Sequence, residues 1–386
     1  MIVDMRKPTQ LYVINAAVYL AGLSRDAGRQ LTLAEVPGDA LDYLTARGID
    51  AIWLMGVWQR SPRAIETAHA DEQLMTEMRG VLPDMTDDDL IGSAYSIRDY
   101  HVDARFGGDA ALIAFRMQLK RHGLQLILDF VPNHTALDHP WIRMHPDYYI
   151  QGSPSDLAAH PESYALCDEH VIANGRDPNY PAWQDTAQVD AYSAGYRQAS
   201  IDTLRSIAQL CDGVRCDMAM LMMNDIFSES WQRDDVPPTE YWVDVISAVR
   251  QQFPEFIFIA EAYWRRESAL VEQGFDYCYD KTLYDLLVEG SSTQHYLDTH
   301  PDMIEHGVHF IENHDEQRAA TVFALTEHTA AAQFIASLPG LTMWHDGQWQ
   351  GYRTRIPVQL GRGPQESPDP TIVSMYDTLF LDRHEC

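Results

Sequence analysis

Eight short apolar runs follow one another along the chain, and segments with helical periodicity separate most of them. The runs lie at residues 11–21, 51–58, 124–131, 212–219, 256–264, 275–280, 308–315 and 340–346. The helical segments include 37–47, 109–122, 196–211, 238–253 and 319–337. This alternation is typical of βα units around a parallel sheet. Eight runs favour a closed (β/α)8 TIM barrel over an open doubly wound sheet, because no Gly-rich phosphate turn follows the first run.

Two segments interrupt the alternation. Residues 59–108 are polar and rich in turn residues, which predicts a long loop after the second strand. Residues 135–190 have no long helical period, and so long an irregular loop is unusual inside a barrel, so we expect a small subdomain inserted after the third strand. We therefore predict a catalytic barrel at 1–134 and 191–386. We expect the short polar segment 361–386 to form no separate C-terminal β domain.

The net charge of the chain limits the classes of partner that it can bind. The chain carries 28 Lys and Arg against 57 Asp and Glu, a net charge of −29, which disfavours binding to nucleic acid or to an anionic membrane surface. The N-terminus lacks a signal-peptide pattern, and no apolar run reaches the ~20 residues needed to cross a bilayer. We expect a soluble, cytoplasmic protein of undetermined oligomeric state. An odd number of cysteines without zinc-site spacing predicts reduced thiols: Cys167, Cys211, Cys216, Cys278 and Cys386.

Four of the predicted strands end in a carboxylate: Asp129, Asp217, Glu261 and Asp315. In a (β/α)8 barrel these strand ends converge on the face that carries catalysis. A charged group at the end of a buried strand is costly unless it is paired or used. Helix N-capping is the alternative explanation for these carboxylates. For Asp129 alone, capping and a place in a catalytic site are equally good explanations.

Converging carboxylates suit glycoside cleavage, in which one attacks the anomeric carbon and another protonates the leaving oxygen. Strand alternation points Arg215 and Asp217 the same way, so the guanidinium is placed to pair with the carboxylate. Glu261 lies between two apolar stretches, and burial there would raise its pKa, as a general acid requires.

Five sequence motifs carry a family resemblance. They are GSAYSIRDY (92–100), DFVPNH (129–134), GVRCDMAM (213–220), AEAYW (260–264) and FIENHD (310–315). As an ordered set they resemble the motifs of the α-amylase superfamily, glycoside hydrolase family 13, across the whole predicted barrel.

The resemblance implies a role for each matched residue. Asp217 would be the nucleophile, Glu261 the general acid/base and Asp315 the transition-state stabiliser. Four residues would bind the sugar at the −1 subsite: Tyr95, which stacks on it, His134, Arg215 and His314.

The chain also departs from the family pattern. Met220 and Leu221 stand where the family usually has a Lys-His pair, which argues against typical starch endo-hydrolysis. Asn133 and Asp185 resemble the family's calcium ligands, although Asn133 is equally suited to bonding the inserted loop through its side chain. We expect no required cofactor.

The leading interpretation is a retaining hydrolase of α-glucosidic bonds in oligosaccharides or small glucosides, through a covalent glycosyl-aspartate. A transglycosidase using the same intermediate is the first alternative, and a non-catalytic sugar-binding barrel is the second. Three aromatic residues either stack on acceptor sugars or pack at the barrel mouth, and packing is the interpretation we favour: Trp183, Tyr263 and Trp264.

Overall fold

The eight apolar runs form a closed barrel of parallel strands. The computed structural model describes residues 7–384. The barrel strands are β1 (Gln10–Asn15), β2 (Ala51–Met55), β3 (Gln125–Phe130), β4 (Gly213–Cys216), β5 (Ile257–Ala260), β6 (Tyr277–Tyr279), β7 (Gly307–His309) and β8 (Leu341–His345). Each strand pairs with the next, and β8 closes on β1. The predicted (β/α)8 TIM barrel is confirmed.

Helices surround the barrel and occupy its longer loops. The α-helices are Ala16–Ala27, Gly38–Thr45, Pro62–Ala70, Glu72–Val81, Gly108–Arg121, Pro140–Met144, Pro154–Ala159, Ala194–Leu210, Asn224–Trp231, Tyr241–Arg250, Glu267–Glu272, Lys281–Val288, Gln294–Thr299, Pro301–His306, Ala319–Val322, Leu325–Ser337 and Pro370–His384. Short 3₁₀ helices lie at Leu33–Glu35, Asp87–Asp89, Ala104–Phe106, Pro146–Tyr148 and Ala219–Met222. No helix in the described part of the chain is long and apolar enough to cross a membrane.

Strand alternation decides which side chains enter the barrel. On β3, Leu126 and Leu128 pack outward against the helices, whereas Ile127 belongs to the separate cluster that fills the barrel interior. Ile259 of β5 belongs to the same interior cluster. Two residues further along each strand, the inward positions are occupied by carboxylates, so the interior changes from aliphatic to acidic at the C-terminal end.

The first apolar run is divided between a strand and a helix. Asn15 ends β1, and its side-chain oxygen accepts hydrogen bonds from the backbone N–H groups of Ala17 at 3.1 Å and Val18 at 3.3 Å. An N-cap of this kind starts a helix directly, without a connecting loop.

The prediction of one long loop at 59–108 was wrong. This segment contains an antiparallel pair, Trp58–Arg60 with Ile97–Val102, and two helices, Pro62–Ala70 and Glu72–Val81. The helices bury a small apolar cluster of their own: Ala68, Met75, Met78, Leu82, Leu90 and Leu360. Charged residues on the exposed faces of these short helices mask their apolar period in the sequence.

The chain leaves the barrel after β3 and returns through the helix Ala194–Leu210. The intervening segment forms two antiparallel pairs, His134–Ala136 with Thr186–Gln188 and Tyr164–Cys167 with His170–Ala173. Cys167, Cys211, Cys216 and Cys278 are buried free thiols, and Cys386 lies outside the described residues.

Candidate active site

One cleft of about 1280 Å³ opens at the C-terminal ends of the barrel strands. Six of the predicted site residues line it directly: Tyr95, His134, Asp185, Asp217, Glu261 and Asp315. The inserted segment supplies part of its wall, from Asp177 to Thr186. Tertiary structure thus brings together residues that are up to 220 positions apart in the sequence.

The side chain of Arg215 connects two of the acids. Its Nη1 donates a 2.7 Å hydrogen bond to Asp217 Oδ1, and its Nη2 lies 2.8 Å from Glu261 Oε2. The register pairs Cys216 with Ala260, so Asp217 and Glu261 follow at the next step of adjacent strands, which lie about 4.8 Å apart. The two carboxyl groups therefore face the same cleft from neighbouring strand ends.

Aromatic rings hold the Arg215 guanidinium in place. Its Nε donates to the Tyr279 hydroxyl at 3.3 Å, and its Cζ lies 5.0 Å from the ring centre of Trp53 and 5.2 Å from that of Tyr95. Only 1% of the Arg215 side chain is exposed. The sequence reasoning missed Tyr279, although its inward position at the end of β6 was a usable signal.

Both carboxyl oxygens of Glu261 have protein partners. The Met218 backbone N–H donates to Oε2 at 2.6 Å, and the Tyr263 hydroxyl donates to Oε1 at 2.9 Å. Met218 adopts a left-handed backbone conformation, with φ of 43°. A residue without a glycine's freedom tolerates this region only when its surroundings enforce it.

The environment of Glu261 favours its protonated form. Desolvation by burial is the largest cause, and it raises the pKa of Glu261 to about 8. The charge of Arg215 and the Met218 N–H oppose this rise, whereas Asp217 and Asp315 add to it. The burial expected from the sequence is therefore present, and Glu261 is suited to donate a proton at neutral pH.

His314 connects the tyrosine of the cleft to the third acid. Its Nε2 lies 2.6 Å from the Tyr95 hydroxyl and 3.1 Å from Asp315 Oδ2. Desolvation by burial, reinforced by the positive charge of Arg215, holds the pKa of His314 well below its usual range. The Asp315 side chain remains 48% exposed, toward the cleft. Burial likewise lowers the pKa of His134, whose ring lies 5.1 Å from that of Trp183.

The fourth carboxylate has a different environment. Asp129 is completely buried, and it accepts hydrogen bonds from Trp53 Nε1 at 3.0 Å and from the Gly56 backbone N–H at 2.7 Å. It caps no helix, and it holds the turn that follows β2. Burial raises its pKa to about 6.

The two candidate calcium ligands, Asn133 and Asp185, have different surroundings. Asn133 and Gln188 form a reciprocal amide pair, with Oδ1 of Asn133 accepting at 3.0 Å and Nδ2 donating at 3.3 Å. Calcium requires six to eight oxygen ligands, and the Asn133 oxygen is already engaged. Within residues 7–384 no group of three or more His, Cys, Asp or Glu side chains is placed to hold a metal. Asn133 thus bonds the inserted segment, and Asp185 lines the cleft.

Comparison with known proteins agrees with these motifs. The sequence model of a family described as "Alpha amylase, catalytic domain" matches residues 38–369. The chain belongs to the α-amylase family.

Several relatives of the α-amylase family resemble this chain. Alpha-amylase MalA of Haloarcula japonica is 24% identical over 361 residues, which are 90% of this chain and 45% of that protein. Trehalose synthase/amylase TreS of Mycobacterium tuberculosis is 32% identical over 243 residues, 58% of this chain and 35% of that one. The chain spans less than half the length of these curated relatives. The crystal structure of an α-amylase from H. orenii superposes with a TM-score of 0.69 at 17% identity, covering 98% of this chain and 82% of that one, which supports the fold.

On the Glu261 side of the cleft, this member of the α-amylase family lacks the usual Lys-His pair. Met220 and Leu221 are buried in the 3₁₀ helix Ala219–Met222. The cleft wall on this side instead contains Tyr263, Trp264 and Arg265. Trp264, 37% exposed, and Arg265 both adopt left-handed conformations, with φ of 60° and 59°.

The three aromatic residues for which we favoured packing all line the cleft. Tyr263 and Trp183 are half-buried and also pack against the main core. Sequence reasoning missed a charged part of the cleft lining, where Lys281 pairs with Asp285 and lies 3.3 Å from Glu316. Charges on a helix face carry no sequence signal that separates a cleft rim from a solvated surface.

Proposed function

We propose that this chain is a retaining glycoside hydrolase that cleaves α-glucosidic bonds in oligosaccharides or small glucosides. The observation that carries the proposal is the buried Arg215 guanidinium, which contacts one carboxylate at each of two adjacent strand ends. A retaining mechanism requires a nucleophile and an acid about 5–5.5 Å apart. The contacts of Asp217 and Glu261 with the two Nη atoms of one guanidinium, from adjacent strand ends, support such a pair.

The first half of the reaction forms a covalent intermediate. An Asp217 oxygen attacks the anomeric carbon while the bond from that carbon to the glycosidic oxygen breaks. Glu261 gives its proton to the departing oxygen, so that the aglycone leaves as an alcohol. The products of this step are a glycosyl ester on Asp217 and an ionised Glu261.

Water completes the reaction. The ionised Glu261 takes a proton from a water molecule, whose oxygen bonds to the anomeric carbon as the ester bond to Asp217 breaks. The net anomeric configuration is retained after two inversions. Asp315, exposed to the cleft, would stabilise the positive charge that develops on the sugar, and the neutral His314 and His134 would bind its hydroxyl groups.

A transglycosidase is the second candidate, and the exposed ring of Trp264 favours it. An indole face beyond Glu261 offers a stacking surface for an acceptor sugar that would replace water. Free reducing sugar as the main product would support hydrolysis, and longer oligosaccharides or new glycosides would support transfer.

The deciding experiment is a substrate panel followed by proton NMR. Maltose, sucrose, trehalose and starch should be tested, and the first-formed product should be the α-anomer. Asp217→Asn should reduce the rate at least about a hundredfold because an amide cannot form the glycosyl ester. Asp202→Asn, on the exposed face of helix Ala194–Leu210, is the matched control and should retain full activity.

A first-formed β-anomer would refute retention. An inert wild-type protein on the whole panel would instead support the non-catalytic sugar-binding barrel. Asp217→Asn with more than about a hundredth of the wild-type rate would place the nucleophile elsewhere.

A further inference from the structure

The two oxygens of Glu261 have unequal partners. Oε2 faces the positive charge of Arg215 at 2.8 Å and accepts a hydrogen bond from the Met218 N–H at 2.6 Å. Both partners are donors, so a proton on Oε2 would face a cation and an N–H group. The proton of a neutral Glu261 therefore belongs on Oε1, and Tyr263 is the residue whose hydroxyl contacts that oxygen, at 2.9 Å.

The backbone that carries Tyr263 is held in an unusual conformation. Trp264 and Arg265 are consecutive left-handed residues, and the turn closes where the Arg266 N–H donates to the Tyr263 carbonyl at 3.2 Å. Arg266 is in turn anchored by Asp225, 2.8 Å from its guanidinium, on the helix Asn224–Trp231. Two left-handed residues cost free energy, and such strain persists where the surrounding structure enforces it and often marks a functional site. Here the turn folds the Tyr263 side chain back onto the acid.

We propose that Tyr263 is a positioning residue for the general acid, and that its hydroxyl fixes Glu261 Oε1 toward the glycosidic oxygen and stabilises the carboxylate left after proton transfer. This inference rests on the proposed function. As the bond to the anomeric carbon breaks, the Oε1 proton moves to the departing oxygen. The Tyr263 hydroxyl then donates its own hydrogen bond to the anionic Oε1 without giving up its proton.

The proposal predicts a specific pH effect. A donor to Oε1 favours the ionised form of Glu261, so its removal raises the pKa of the acid further. The other groups that face Glu261 are unchanged by this removal: Arg215, Asp217, the Met218 N–H, Tyr279 and Asp315. The alkaline limb of the kcat/KM profile, where the acid loses its proton, should therefore move to higher pH.

The test uses Tyr263→Phe in the full chain, which keeps the ring and removes only the hydroxyl. We expect kcat/KM for maltose, or for whichever panel substrate is cleaved, to fall roughly 10- to 100-fold, within the range that acid catalysis contributes. Hydrolysis of α-glucosyl fluoride, whose leaving group needs little protonation, should fall less than about threefold. The alkaline limb should move upward by roughly 0.5–1 pH.

Tyr277→Phe is the matched control. Its hydroxyl donates to the Pro8 carbonyl at 2.8 Å at the opposite end of the barrel, so it loses a buried hydrogen bond without contact with the cleft. Its pH profile and its ratio of the two substrates should equal those of the wild type. Both readouts are independent of the fraction of folded enzyme, so a partly unfolded Tyr263→Phe still gives an answer.

Three outcomes distinguish the role of Tyr263 from the assignment of Glu261 as the general acid. Selective loss on the poor leaving group together with the pH shift supports the role of Tyr263. Equal losses on both substrates with an unmoved alkaline limb would show that Tyr263 only packs or stacks, and would overturn the proposal. If Glu261→Gln itself shows no selectivity between the two substrates, the assignment of the acid fails, and the role of Tyr263 fails with it.

Discussion

The replacement of Asp129 by Asn tests how the barrel holds a buried carboxylate that does not line the cleft. The side chain accepts hydrogen bonds from Trp53 and from the Gly56 backbone, one on each oxygen. Asparagine keeps the shape and removes the charge, but its amide group must face one of the two donors. The loss of one acceptor costs about 1–3 kcal/mol.

The stability gained by removing the charge of Asp129 depends on pH. The folded state raises the pKa of Asp129 to about 6, against about 3.9 in an unfolded chain, and this difference corresponds to about 3 kcal/mol. Because the folded state binds the proton more tightly, the stability from this group is fully present below about pH 3.9 and is lost as the pH rises through about 6. At pH 7.5 the stability of the wild type is reduced by the whole cost of ionising the buried Asp129. Asp129→Asn has no such cost because its side chain does not ionise.

The free energy of unfolding, measured in urea at pH 4 and at pH 7.5, gives the comparison. The lost acceptor contributes at both pH values and cancels. At pH 4 the wild type already carries about 0.5 kcal/mol of the penalty, so the variant should gain about 2–2.5 kcal/mol relative to the wild type between the two pH values. At pH 7.5 it should be as stable as the wild type or up to about 2 kcal/mol more stable. Its activity should stay within about tenfold, since the contacts of Arg215, Asp217 and Glu261 are untouched.

The exposed variant Asp202→Asn serves as control and should show the same small difference at both pH values. A stability difference for Asp129→Asn that does not change with pH would refute the raised pKa. A loss of activity as large as that of Asp217→Asn would show that Asp129 takes part in catalysis.

Two further predictions concern the role of Glu261 and the binding of calcium. Glu261→Gln should suppress cleavage of ordinary glycosides far more than of substrates with very good leaving groups, in steady-state kinetics on a matched pair, and equal losses would exclude Glu261 as the acid. A chelator should leave activity and melting temperature unchanged because the amide of Gln188 already engages Asn133, whereas a large, calcium-reversible loss would assign a metal to Asn133 and Asp185.

The sequence by itself determined the barrel and the positions of its charged strand ends. Eight apolar runs at βα spacing admit few architectures, because connections between parallel strands are long and right-handed. Period-two alternation then fixed that Arg215 and Asp217 point the same way, and a 2.7 Å hydrogen bond joins them. These properties are local, so they can be read from neighbouring residues.

Tertiary structure alone decided which carboxylate is enclosed by the protein and which opens on the cleft. Asp129 and Asp217 both lie at the C-terminal ends of adjacent strands, yet one is enclosed by Trp53 and Gly56 and the other opens on the cleft. The difference arises because the turn after β2 folds over the end of β3, a contact between residues 73 positions apart. Nothing near Asp129 in the chain encodes it.

The contacts of Glu261 likewise include a part that the sequence predicts and a part that only the tertiary structure decides. Its burial was expected from the flanking apolar residues, but its partners depend on backbone conformations that the sequence does not favour. Met218, Trp264 and Arg265 are all left-handed without being glycine. Local propensity predicts other conformations for these residues, and packing in the folded barrel overrides it. The hydrogen bonds that Glu261 accepts therefore exist only once the whole barrel is assembled.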